Sequence, residues 1–471
     1  MKRLYLSSIV FVLLLVLLLF GWDMTAKAQD SSGQHDDEKL VALGKALFFD
    51  TNLSVNGTQS CATCHAPETG FTGSDAQVNA GGAVYQGALP NHFGNRKPPA
   101  SAYAGDSPEL YYDAEKSGWF GGMFWDGRAT GSTLHDPLAE QAQGPYLNPL
   151  EQALPNAQVL CVKVKQADYA RLFEEVWGAG SLNCAKAAAG VYERIGRSVA
   201  AYERSAEVNP YTSKFDQFWD NANAAGKDVT KIKCGTGGMG SGGGMGGGGM
   251  GAMGCPGGGS DPNRWTAFRN LGLSDSELQG LAVFNDPNRA NCASCHSLEP
   301  GADGYPLFTD FGYDNIGVPK NPANPFYGMP SAWNPDGENW VDVGLGGYLK
   351  SAGQPAEVYE LEMGKFKVPT LRNVDLRPSP DFVKAYGHNG YFKSLEEIVF
   401  FYHWRAMMDI GGCMGGGMGG GGMGGGCSGM ADMFPAPEVD QNRSQMGMFP
   451  RPQVDNIVAF LKTLSDGYFT R

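Results

Sequence analysis

The sequence predicts a mainly α fold: two tandem helical domains with long loops and two glycine- and methionine-rich insertions. Three observations predict it. Apolar residues at helical spacing precede each of two copies of one short motif, an amphipathic stretch follows each copy, and much of the glycine excess is confined to two tracts. With 471 residues, 42% of them hydrophobic and 11% aromatic, the chain is long enough to bury a core in each of two or three domains. Its 36 Lys and Arg against 49 Asp and Glu give a net charge of −13, which argues against nucleic acid and anionic membrane surfaces as partners.

Residues 1–28 read as an export signal, with Lys2 and Arg3 at the start, an apolar stretch from Leu4 to Trp22, and Ala26-Lys27-Ala28 as the cleavage site. Left uncleaved, the same stretch would anchor the chain in a membrane. In either case the functional part is expected in the periplasm or at the cell surface. Cysteines there are paired or bound to a cofactor.

The first domain is expected over 29–230. Leu40, Leu43, Leu47 and Phe48 stand at helical spacing, and a polar loop leads from them to Cys61-Ala62-Thr63-Cys64-His65. The second domain, over 261–471, repeats the design. Ser274 and Glu277 form a capping-box pattern, and the helix they open is expected to run through Leu278, Leu281 and Phe284 to Cys292-Ala293-Ser294-Cys295-His296. Later amphipathic helices are expected over 187–204 and 454–464. Another capping box, Ser394 to Glu397, opens a helix that carries Tyr402 and His403.

C-x-x-C-H is the attachment pattern of c-type haem: two cysteines bond the haem covalently and the histidine becomes an axial ligand of the iron. Two copies, each after a helix in an exported chain, predict two covalently bound haems, on Cys61, Cys64 and His65 and on Cys292, Cys295 and His296. A thioredoxin-like reading lacks its βαβ setting, and structural zinc would need more Cys or His neighbours than seven histidines offer. A haem with protein ligands on both sides transfers electrons, whereas one with an open side activates peroxide or dioxygen. For the second iron, Tyr402 and His403 are both candidates. They stand about 100° apart on one helix, so only one of them can face the metal.

The chain resembles the bacterial di-haem cytochrome c peroxidase family, which includes the MauG-type enzymes. The resemblance rests on both C-x-x-C-H motifs and on Phe124-Trp125-Asp126-Gly127-Arg128. It is extended by Glu140-Gln141-Ala142 with Pro145, by Asn148-Pro149-Leu150-Glu151, and by Lys367-Val368-Pro369-Thr370-Leu371-Arg372-Asn373. It implies two cytochrome c-like domains, the N-terminal haem reacting with hydrogen peroxide and the C-terminal haem relaying electrons. Glu151 then matches the distal acid-base, Gln141 an amide that orients peroxide, and Trp125 the indole between the haems. The alternatives are a solvated loop acid, a structural amide and a core aromatic. His92 is a candidate removable ligand of the first iron, or a loop histidine. Tyr402 falls fourteen residues after His388, where peroxidases of the family carry methionine and MauG-type enzymes tyrosine. Where the family has a calcium-binding Asn after the arginine matched by Arg96, this chain has Lys97, which sets calcium in doubt.

The resemblance implies a peroxidase supplied by a small electron-donor protein, a cytochrome c or a cupredoxin. The alternatives are a MauG-type oxidase modifying Trp or Tyr of a partner protein, and a non-catalytic electron-transfer or copper-binding surface cytochrome. Copper enters through the tracts 235–260 and 411–429, which hold 29 of the 68 glycines together with seven methionines, soft ligands for Cu(I). Irregular spacing and the entropy of ordering glycine argue instead for low-complexity insertions, and a methionine-rich docking surface is a third reading. Cys234 with Cys255 and Cys413 with Cys427 bracket the two tracts as expected disulfides. Cys161 with Cys184 is a third.

Overall fold

A computed structural model describes residues 37–235, 261–409 and 433–471. The expected signal, nearly all of both insertions, and Cys255, Cys413 and Cys427 lie outside the described residues. The fold is mainly α, as expected. Its principal helices are α1 (37–49), α2 (Pro137–Leu147), α3 (Ala157–Gln166), α4 (Cys184–Glu203), α5 (Lys214–Ala224), α6 (Asp275–Asn285), α7 (Leu395–Asp409) and α8 (Pro452–Lys462). Two short antiparallel ladders accompany them, Tyr111–Asp113 with Gly118–Phe120 and Tyr313–Asp314 with Phe366–Lys367.

Helix α1 turns Leu43, Leu47 and Phe48 into a core with Val191, Ile195, Val199 and Tyr202 of α4. The same arrangement recurs where α6 meets α8, through Leu278, Leu281, Ile457 and Phe460. Each full burial of such a side chain contributes about 1.5–3 kcal/mol. Both crossings depend on one glycine. A Cβ added at Gly44 would stand 1.9 Å from the Ser198 carbonyl oxygen, and one at Gly280 would stand 1.9 Å from that of Asn456.

Helix α6 has the expected Ser274–Glu277 capping box. It ends at Asn285 and does not run on to Cys292. Asp286 precedes Pro287, whose ring disfavours helical backbone at the residue before it. The segment 215–230, expected within the first domain, packs elsewhere: Phe215, Phe218, Trp219 and Val229 belong to the core built around α6, α7 and α8. The expected Cys161–Cys184 disulfide is formed and ties α3 to the start of α4. Cys234 is also disulfide-bonded.

Candidate active site: two clefts and the indole between them

Each C-x-x-C-H motif opens onto a cleft. The first copy forms one helical turn, Cys61–Cys64, whose N-cap Ser60 and Thr63 make a reciprocal capping box. The second begins at Asn291, whose left-handed backbone (φ 51°) leads into a tight turn over Cys292–Ser294. None of the four motif cysteines forms a disulfide. The two histidines are held alike. His65 Nδ1 lies 3.0 Å from the Phe71 carbonyl oxygen, and His296 Nδ1 lies 2.9 Å from that of Phe308. A carbonyl can only accept, so Nδ1 carries the proton and Nε2 keeps its lone pair. Burial favours the neutral ring, pulling His65 down to about 4 and His296 below its ordinary value.

The first cleft, about 1000 Å³ with its solvent-open mouth included, is lined in part by Trp125, Arg128, Gln141, Pro145, Glu151 and Glu203. Three predicted residues, Trp125, Gln141 and Glu151, therefore meet at the His65 motif. Gln141 projects from α2, and Glu151 follows the turn that ends it. Asn148 Nδ2 donates to Glu151 Oε1 at 2.8 Å. Burial raises the Glu151 carboxyl, while Arg128 and Asn148 pull the other way. His92 is not among the residues lining either cleft. Its Nδ1 faces the Pro90 carbonyl oxygen at 3.0 Å, and its ring meets Trp333 at 5.9 Å.

The second cleft is larger, about 1790 Å³, and its lining includes Cys292, Cys295, His296, His388, Tyr402 and Met446. Tyr402 therefore shares the cleft with His296. Its neighbour His403 turns away, Nδ1 lying 2.6 Å from the Phe449 carbonyl oxygen, and is not part of the lining. Trp125 and Lys97 line both clefts. Trp125 is tied at two points: its indole Nε1 donates to the Lys97 carbonyl at 2.8 Å, and its main-chain carbonyl accepts from the Lys367 amide at 2.9 Å.

Sequence reasoning missed the polar frame around this indole. Arg96 donates to Asp342 through Nε and Nη2, both at 2.7 Å, and to Asp126 at 2.5 Å. Both carboxyls are consequently held below their ordinary range despite burial. Lys97 is buried and donates to Thr72 Oγ1 at 2.8 Å and to the Pro98 carbonyl at 3.0 Å. Burial pulls its ammonium down to about 8. His388 stacks on Phe366 at 3.4 Å, and its buried Nε2 has no hydrogen-bond partner among the described residues. Asp126, Arg96 and Lys97 are marked in the sequence only by the family resemblance and His388 by its spacing from Tyr402; Asp342 and Phe366 carry no signal.

A helical chain whose two C-x-x-C-H turns face separate clefts across one indole defines a class, and comparison makes it specific: the chain belongs to the di-haem cytochrome c peroxidase and MauG family. The profile of the di-haem cytochrome c peroxidases matches residues 38–224. The methylamine utilization protein MauG of Paracoccus denitrificans is 30% identical over 442 residues, covering 91% of this chain and 89% of its own. The cytochrome c551 peroxidase of Nitrosomonas europaea is 25% identical over 366 residues, 77% of this chain and 72% of its own. Among solved structures, the diheme peroxidase BthA of Burkholderia thailandensis is similar with a TM-score of 0.61 and 27% identity, covering 91% of this chain and 86% of that one. Members of the family are oxidoreductases that carry two c-type haems.

The residues present fit that pair of groups. Each cleft combines two thiols outside any disulfide with a histidine whose Nε2 lone pair is free. In the second cleft His388 Nε2 makes no hydrogen bond among the described residues and lies 4.0 Å from Glu438 Oε2.

Proposed function

We propose that this chain is an exported di-haem c-type peroxidase that reduces hydrogen peroxide at the His65 cleft, with electrons relayed from the His296 cleft through Trp125. One observation carries the reading. Glu151 and Gln141 line the His65 cleft, whereas Tyr402 lines the other, so the proton-handling groups and the candidate axial phenol are on different clefts. Cys61, Cys64 and His65 would hold the first haem, and Cys292, Cys295, His296 and Tyr402 the second. The haems supply the redox chemistry, an iron that exchanges electrons and, where one axial side is open, binds peroxide.

Glu151 takes the proton from the near oxygen of peroxide and returns it to the departing one. Its raised pKa brings that exchange closer to neutrality, where a general acid-base is most effective. Gln141 orients the two oxygens, and the Arg128 guanidinium stabilises the charge that develops as their bond breaks. Two protons and two electrons convert each peroxide to two waters. The electrons arrive by way of Trp125 from a small donor protein, a cytochrome c or a cupredoxin. A second reading, oxidation of Trp or Tyr on a partner protein, is favoured by Tyr402 and by the 30% identity to a MauG.

Paramagnetic resonance of the ferric, haem-loaded chain is expected to show one high-spin and one low-spin iron, and Tyr402→Phe to alter only the low-spin signal. Glu151→Gln is expected to slow peroxide reduction about 10²–10⁴-fold with the resting spectrum retained. Two low-spin irons unreactive to peroxide would overturn the proposal. Peroxide-driven oxidation of reduced cytochrome c separates the first reading from the second.

A further inference from the structure

Trp125 lines a third, smaller cavity as well, and it shares that wall with Tyr103. From Tyr103 a row of phenols leads outward. The Tyr103 and Tyr211 ring centroids are 4.9 Å apart, and Tyr211 stacks on Tyr305 at the same 4.9 Å. Exposure rises along the row, from 2% at Tyr103 and 8% at Tyr211 to a half-buried Tyr305. Each hydroxyl donates to its own carboxylate: Tyr103 to Asp466 at 2.7 Å, Tyr211 to Asp303 at 3.2 Å, and Tyr305 to Asp220 at 2.6 Å. Asp303 and Asp220 are exposed.

Packing alone does not explain this row. Phenylalanine would fill the same space without a buried hydroxyl to satisfy. The Arg372 guanidinium lies over both rings, 5.3 Å from that of Tyr103 and 4.9 Å from that of Tyr211. Its charge is fixed there by a fully buried ion pair with Asp216 at 2.6 Å. A cation over the ring face opposes a positively charged ring. A phenol at that place can therefore lose an electron only if its proton leaves as well, and each has a carboxylate in position to take it.

We propose that Tyr103, Tyr211 and Tyr305 form an exit for oxidising equivalents, running from Trp125 to the surface, where Tyr305 oxidises phenolic one-electron donors too large to enter either cleft. The proposal rests on the peroxidase reading above, with hydrogen peroxide as oxidant. Oxidised Trp125 takes an electron from Tyr103, whose proton passes to Asp466. Tyr103 then recovers an electron from Tyr211 and its proton from Asp466, while the Tyr211 proton passes to Asp303. The same exchange moves the deficit to Tyr305, with Asp220 accepting the proton. There a donor phenol gives up one electron and one proton and leaves as a phenoxyl radical. Over two such passages one peroxide and two phenols yield two waters and two phenoxyl radicals.

The test adds peroxide to the haem-loaded full chain with a nitroso spin trap, follows haem absorbance, and maps trapped radicals by mass spectrometry. Trap is expected on Tyr305. Tyr211→Phe, which keeps the stacking and removes the hydroxyl, is expected to abolish that adduct while the absorbance response to peroxide persists. Asp220→Asn, a surface change that leaves the core alone, is expected to reduce it. An absorbance response with no adduct on Tyr305, or with an adduct undiminished in both variants, overturns the exit and leaves the peroxidase reading standing. No absorbance response to peroxide brings down both.

Discussion

Glu203 is 2% exposed in the wall of the first cleft, and its Oε2 has no hydrogen-bond partner among the described residues. Burial pushes its carboxyl from the ordinary 4.5 up to about 8. The folded chain therefore keeps a proton there that the unfolded chain releases, and stability falls as the pH rises between those two values. Glu203→Gln, permanently neutral, is expected to remove that decline. Melting temperatures of variant and parent should coincide near pH 4.5 and diverge towards pH 8, with the variant higher. At this scale the sequence is informative where residues cluster in motifs: Trp125, Gln141 and Glu151, singled out from motifs, line one cleft. It was silent on Glu203, because nothing local marks which glutamate of an amphipathic helix turns inward. Tyr103, Tyr211 and Tyr305 share no periodicity, and only the folded chain stacks them.

The two helix crossings are the elements that give each half its core, and both bring backbone against backbone at a glycine. Gly280→Ala would force α8 away from α6, since the added carbon would meet the Asn456 carbonyl oxygen. Overpacking of this kind costs about 1–3 kcal/mol. Gly44→Ala should do the same between α1 and α4, and chemical denaturation should show a lower midpoint in each variant. Apolar spacing alone makes α1, α6 and α8 legible, and the Ser274–Glu277 box marks one helix start. Helix ends are less legible: α6 stops short at the residue before Asp286-Pro287, and α8 opens at Pro452, two residues before the apolar pattern begins. The allegiance of α5 cannot be read from its sequence. An amphipathic face shows that a helix packs and leaves open which core receives it.

Across the whole molecule the halves are joined by polar contacts of long sequence separation, centred on Arg96, Asp126 and Asp342. Arg96→Met would leave the buried Asp342 carboxylate without its cation and Asp126 with Arg128 alone, a loss of about 3–5 kcal/mol. Both carboxyls are held below their ordinary 3.8 by the arginine, so that stabilisation is present above 3.8 and lost as acid protonates them. The melting deficit of the variant should therefore persist from neutrality down to about 3.8 and shrink as the pH falls below it. No sequence pattern announces a partner 246 residues away, which is why the tandem design was legible and the seam between its halves was not. Trp125 in that seam is tied to one half of the chain through its indole N–H and to the other through its main-chain carbonyl. A ring so held has almost no freedom to shift when its charge changes. On the relay proposed above, such a tether predicts a small rearrangement at each electron passage, and a rate of exchange between the halves that falls little on cooling in freeze-quench measurements.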